Sequence, residues 1–197
     1  MKIVFVVGAR PQFVKLAPIA KYAKSIGEEV SIIHTGQHYD DEMSKIFFEE
    51  LDINIPITNL NVKSDSHGKQ TAKMLIGIES YLKDKKVDWV LVFGDTNTTL
   101  AASLVVSKMN MKLAHIEAGL RSFNREMPEE INRLVTDRLS DLLLTPDNLS
   151  SENLRKEGVL EEKIQFVGNI MIDTLESNRE KASKLTILDI LKNNLIH

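Results

Sequence analysis

The feature that most constrains this chain is a series of short, unbroken apolar runs, each followed by a longer segment with helical spacing. The runs cover residues 2–8, 30–36, 89–95, 113–118, 142–146 and 164–168, with a weaker one around 55–60. Continuous rather than alternating apolar character is the mark of strands buried on both faces of a parallel sheet. The intervening segments read as helices. Residues 11–26 open with Pro11 at a helix-starting position, and 40–51 carry Met43, Ile46, Phe47 and Leu51 at helical spacing. Residues 70–85 place Met74, Leu75, Ile78, Tyr81 and Leu82 on one stripe. Helices are also expected at 98–109, 128–139 and 151–157, the last ending before Gly158. This alternation predicts an α/β fold, a doubly wound parallel sheet. Residues 169–197 lack a strand run and read as one long or broken helix. The expected division is a Rossmann-like domain over 1–178 and a helical tail or linker over 179–197, leading toward a second domain.

Composition narrows the function classes. Apolar residues make up 43% and charged residues 27%, which fits a globular chain and not a disordered or fibrous one. Lys and Arg number 25 against 28 Asp and Glu, a net charge of −3, so a nucleic-acid partner is not expected. With no cysteine, disulfides, thiolate metal sites and Cys nucleophiles are excluded. No run approaches the roughly 20 apolar residues of a membrane helix. The first run is too short for a signal-peptide core and is closely followed by Arg10. A cytoplasmic protein without a membrane partner is therefore expected. The histidines at 34, 38, 67, 115 and 197 show no metal-binding spacing, so no metal is expected either.

In an open parallel sheet, ligands bind beyond the carboxyl ends of the strands, where the strand order reverses. Three such ends are rich in polar residues: Gly8-Ala9-Arg10-Pro11-Gln12 with Lys15, Gly94-Asp95-Thr96-Asn97-Thr98-Thr99, and His115-Ile116-Glu117-Ala118-Gly119-Leu120-Arg121. With a strand order of 3-2-1-4-5, all three face one crevice. The first reads as an anion site, in which a helix N-terminus is joined by Arg10 and Lys15. Neither G-x-G-x-x-G nor G-x-x-x-x-G-K-[ST] is present. Asp95 suits either catalysis or helix capping. Glu117 follows an apolar strand and needs a partner or a use, with Arg121 or Arg125 the expected partner. In Pro128-Glu129-Glu130-Ile131-Asn132-Arg133, Glu129 and Arg133 stand at the i,i+4 spacing of a helix ion pair. Gln37-His38 follows the second strand.

Taken in order, these motifs resemble those of the N-terminal half of the non-hydrolysing UDP-N-acetylglucosamine 2-epimerases. The likeness covers about residues 1–178, and Gly168-Asn169 with Asp173 also fits the pattern. It implies the N-terminal domain of a two-domain GT-B fold, with the C-terminal domain missing from this chain. It also implies reversible conversion of UDP-GlcNAc to UDP-ManNAc without a cofactor. The implied route removes the C2 proton, expels UDP to leave a 2-acetamidoglucal, and adds UDP back with the proton on the opposite face. Asp95, Glu117 and Glu129 are then the acid/base candidates. Arg10 and Lys15 hold phosphate or sugar oxygens, Arg133 positions Glu129 or touches the ligand, and Gln37, His38 and His115 line the site. The implied partners are UDP-GlcNAc or UDP, the missing domain or a partner chain, and a second copy in a homodimer.

The chain departs from the bacterial pattern G-T-R-P-E at Gln12, which speaks against an essential base there. It also departs from Q-H-R after the second strand, where Tyr39 follows His38. Two rival readings are half of a GT-B glycosyltransferase and a non-catalytic sugar-nucleotide-binding module.

Overall fold

The computed structural model describes residues 1–37, 51, 53 and 55–184. Within them a seven-stranded parallel sheet has the order β3-β2-β1-β4-β5-β6-β7. The strands are β1 (Lys2–Val7), β2 (Glu29–His34), β3 (Ile57–Asn59), β4 (Trp89–Phe93), β5 (Leu113–Ile116), β6 (Leu142–Thr145) and β7 (Ile164–Phe166). The helices are α1 (Arg10–Ser25), α2 (His67–Leu82), α3 (Asn97–Lys108), α4 (Pro128–Leu139), α5 (Asn148–Lys156) and α6 (Ile170–Ser183). The expected order 3-2-1-4-5 is present, extended by β6 and β7 on the β5 side. The reversal of order falls between β1 and β4. The helix expected over 40–51 lies outside the described residues, Leu51 excepted. Helix α6 runs unbroken across residues 178 and 179.

The sheet is buried on both faces because successive strand residues point to opposite sides. Val4 and Val6 of β1 join Val90, Val92 and Leu113 in a core beneath α2 and α3, with Met74, Ile78 and Ala102. Phe5 and Val7 join Ile32, Phe93 and Ile116 on the other face, beneath Phe13, Leu16 and Ala20 of α1. Neither face of the central strands is left for water, which is why the runs in the sequence are continuous. Among the described residues, no helix is long and apolar enough to cross a membrane.

Several helix starts beyond the carboxyl ends of the strands are capped by short polar side chains. Thr96 accepts a bond from the Thr99 N–H at 3.4 Å, and Asp147 accepts one from the Ser150 N–H at 2.7 Å. Gly119, with φ +80°, lets the loop after β5 press against α5, and a Cβ there would stand 2.4 Å from the Ser150 carbonyl oxygen. Gly119→Ala therefore has to move backbone and adopt a disfavoured φ. It is expected to lower the unfolding free energy by at least about 1–3 kcal/mol. A urea titration checks this, and an unchanged midpoint would show that the loop and α5 do not depend on that close approach.

Candidate active site

The crevice at the carboxyl ends of β1, β4 and β5 is organised by three side chains that cross between elements. The first is Gln12, buried in the opening turn of α1. Its Oε1 accepts the N–H groups of Gly8 at 2.7 Å and Ala9 at 3.1 Å. Its Nε2 donates to the Phe93 carbonyl at 2.7 Å and lies 3.1 Å from both the Thr96 and Thr99 hydroxyls. An amide suits this place because it accepts on one side and donates on the other. Two N–H groups of the β1–α1 turn are thus already satisfied within the protein. Arg10 is exposed beside them.

The second is Lys15, whose ammonium reaches from α1 to the carboxylate of Glu117 beyond β5. Glu117 is therefore paired with Lys15 and not with Arg121 or Arg125, as sequence spacing suggested. Lys15 lies on a helix packed across the neighbouring strands, so the pair spans 102 residues of sequence. Glu117 also adopts φ +71°, a left-handed conformation that is costly for a residue with a Cβ. Gly94, with φ +61°, sits directly against this pair. A Cβ on it would stand 3.3 Å from Glu117 Oε2 and 3.5 Å from Lys15 Nζ.

The third is Arg133 of α4. It donates to Asp95 at 2.5 Å and to Glu130 at 2.8 Å. The i,i+4 pairing with Glu129 expected from sequence gives way to an i,i+3 pairing with Glu130, because Glu130 faces inward. Burial acts to lower the Arg133 pKa, but Glu130 and Asp95 outweigh it and hold the guanidinium above its ordinary value. Asn132 fixes the backbone of Asp95 by donating to its carbonyl at 2.8 Å. The Asp95 side chain stays 32% exposed, so its carboxylate faces both Arg133 and the crevice.

The remaining sequence candidates are distributed as follows. Glu129 is exposed in the first turn of α4. Gln37 is half-buried, and its Oε1 accepts the Thr98 hydroxyl at 2.8 Å. His38 lies outside the described residues. His115 is fully buried in β5 and does not line the crevice. Glu117 also borders a mostly apolar cleft of about 460 Å³ with Leu91, Ile116, Leu144 and Ile170. Among the described residues, no three His, Asp or Glu side chains gather as a metal-ligand set.

Sequence reasoning missed Glu130. Its carboxylate accepts the Ser122 N–H at 2.9 Å, the Ser122 hydroxyl at 3.0 Å and the Phe123 N–H at 3.0 Å, tying down the loop between β5 and α4. The doubled acid Glu129-Glu130 was the available signal. On a helix only one of two neighbours faces inward.

These features define a class: an α/β domain with paired carboxylates and cations at its topological switch point. Known proteins narrow that class. The sequence profile of UDP-N-acetylglucosamine 2-epimerases matches residues 21–196. A UDP-N-acetylglucosamine 2-epimerase homolog of Methanococcus maripaludis is 57% identical over 89% of this chain and 48% of its own length. The UDP-N-acetylglucosamine 2-epimerase of Methanocaldococcus jannaschii is 50% identical over 93% of this chain and 50% of its own length. A crystal structure of the Methanocaldococcus jannaschii UDP-GlcNAc 2-epimerase in complex with UDP-GlcNAc and UDP superposes with a TM-score of 0.93. It is 47% identical, and the match covers 98% of this chain and 54% of that one. The chain belongs to the UDP-N-acetylglucosamine 2-epimerase family and corresponds to the N-terminal half of the enzyme. It spans about half the length of the curated relatives it matches.

Burial acts to raise the Glu130 pKa, but the bonds from Ser122, Arg133 and Phe123 outweigh it and hold the carboxyl below its ordinary value. Its stabilising effect is therefore present above the unfolded-state pKa, roughly 4.3, and is lost as pH falls through the lower folded-state value. Glu130→Gln is expected to cost about 1–3 kcal/mol at neutral pH. The gap from the parent protein should narrow in acid. Urea unfolding at several pH values checks both, and a pH-independent difference would show that the carboxylate charge is not what holds the loop.

Proposed function

We propose that this chain forms the N-terminal half of an epimerase that interconverts UDP-N-acetylglucosamine and UDP-N-acetylmannosamine. The observation that carries this reading is the pair of supported carboxylates at adjacent strand ends. Asp95 is held by Arg133, and Glu117 by Lys15. The similar Methanocaldococcus jannaschii enzyme, solved with UDP-GlcNAc and UDP, supplies the substrate class.

The chemistry needs a base at C2 and stabilisation of the leaving diphosphate. One carboxylate takes the C2 proton, the C1–O bond to UDP breaks, and the electron pair of the C2–H bond forms the C1–C2 double bond of a 2-acetamidoglucal. In the return step UDP oxygen adds to C1 and a proton is delivered to the opposite face of C2. Asp95, Glu117 and Glu129 are the groups available for these transfers. Arg10 and Lys15 offer charge to phosphate or sugar oxygens, while Arg133 orients Asp95. Gln37 and His38 are assigned as substrate-binding residues. His115 acts from beneath it. A second copy as a homodimer and a C-terminal domain closing the crevice complete the proposal.

The test is NMR of UDP-GlcNAc in D2O with this chain, alone and together with the C-terminal half of a similar epimerase. The complemented chain is expected to form UDP-ManNAc with deuterium at C2. Asp95→Asn and Glu117→Gln are each expected to slow this at least about 100-fold, the usual scale of general acid–base catalysis, with folding retained. Epimer formation without deuterium would overturn the proton-transfer route. Near-normal turnover in either variant would remove that residue from the mechanism. Saturable binding without turnover in the complemented protein would make the chain a binding module, and a glycosylated product appearing only with an added acceptor would make it a transferase half.

A further inference from the structure

The ring of His115 is buried between two acceptors. Its Nδ1 lies 2.6 Å from Asp137 Oδ1 and its Nε2 lies 2.7 Å from the Gly94 carbonyl oxygen. A peptide carbonyl only accepts, and a carboxylate only accepts. A neutral imidazole has one N–H, so either tautomer would set a bare nitrogen against an oxygen lone pair at hydrogen-bond distance.

We infer that His115 is held as a doubly protonated imidazolium, and that its two N–H groups make it the positioning residue for the Gly94–Asp95 turn. The charge balance of the cluster agrees. Asp137 Oδ2 also accepts from Arg121 Nη1 at 2.7 Å and from the Gly119 N–H at 3.1 Å, and Arg121 continues to Glu157 at 2.7 Å. With a cationic ring, the chain His115, Asp137, Arg121, Glu157 alternates plus and minus and sums to zero. With a neutral ring it carries an uncompensated negative charge among side chains of which three are at most 2% exposed. Placing the proton on Asp137 instead would leave a neutral acid facing both Arg121 and the Gly119 N–H.

The consequence reaches the crevice through the backbone. Gly94 takes φ +61°, its N–H donates to the Ile116 carbonyl at 3.0 Å, and its own carbonyl is the oxygen that His115 holds. The next residue is Asp95, whose carbonyl is held by Asn132. The peptides on either side of the Asp95 Cα are thus fixed, one by His115 of β5 and one by Asn132 of α4. The charged groups around the ring are Asp137 of α4 and, through it, Arg121 and Glu157. Glu117 and Lys15 border the Cα of Gly94, and Asp95 with Arg133 follows it in the chain.

The experiment uses the full 197-residue chain, uniformly 15N-labelled and with 13C-labelled glycine. It needs neither substrate nor turnover, so its outcome is separable from that of the proposed activity. Long-range 1H–15N spectra at neutral pH are expected to show both His115 nitrogens with imidazolium shifts. A folded chain with one protonated and one bare His115 nitrogen at neutral pH would overturn the inference. Asp137→Asn is expected to convert the ring to a neutral tautomer and to move the Gly94 13C′ and Asp95 amide resonances together. A neutral ring with both resonances unmoved would overturn the positioning role. If that variant does not fold, the parent chain is followed toward alkaline pH. Loss of the ring proton must then shift the same two resonances with the same midpoint, and a ring that titrates alone would count equally against the inference.

Discussion

The carboxylate of Asp137 joins three parts of the chain. His115 brings in β5, Arg121 and Gly119 bring in the loop beyond it, and Asp137 itself belongs to α4. An ionised carboxylate at this depth is stable only when its lone pairs are matched by charged or polar donors. Removing one partner from such a buried pair costs about 3–5 kcal/mol, because the other is left uncompensated. The geometry of the crevice is therefore tied to an interaction beneath it. The Gly94 turn, the left-handed Glu117 and the close approach of Gly119 to α5 all lie within a few residues of this anchor.

Above the anchor, the crevice is built from pairs whose members come from different elements. Lys15 and Glu117 join α1 to the end of β5, Arg133 joins α4 to the end of β4, and Gln12 joins the β1 turn to β4. Parallel strands place all their carboxyl ends at one edge, so groups distant in sequence meet there. This arrangement holds carboxylates in fixed orientations while leaving Asp95 partly open to solvent. A fixed orientation is what a proton transfer at a weakly acidic carbon requires.

Much of the fold was legible in the sequence because it depends on local pattern. Unbroken apolar runs marked the central strands, and Pro11, Pro128 and Gly158 marked helix limits. The polar strand ends marked the edge where the site lies. The pairing within the site was not legible. Spacing along α4 suggested Glu129 for Arg133, yet the helix turns Glu130 inward and leaves Glu129 exposed. Glu117 was matched to nearby arginines because sequence distance was the only guide, whereas its partner lies on α1. His115 was assigned to the crevice because it belongs to the motif that the resemblance carries over, but burial sends it beneath. Asp137 drew no attention as one acid on a charged helix. A histidine within the apolar strand Leu113–Ile116 was the signal that a buried polar partner was needed.

Gln12 has an electrostatic consequence for the mouth of the crevice. A carboxylate at that position would add a negative charge at the β1–α1 turn and could not donate to the Phe93 carbonyl while ionised. The amide accepts the two turn N–H groups and also donates to the Phe93 carbonyl, with no formal charge and no dependence on pH. Two unit charges about 10 Å apart repel by roughly 1–2 kcal/mol at an effective dielectric near 20. An anion approaching that turn would be spared this repulsion.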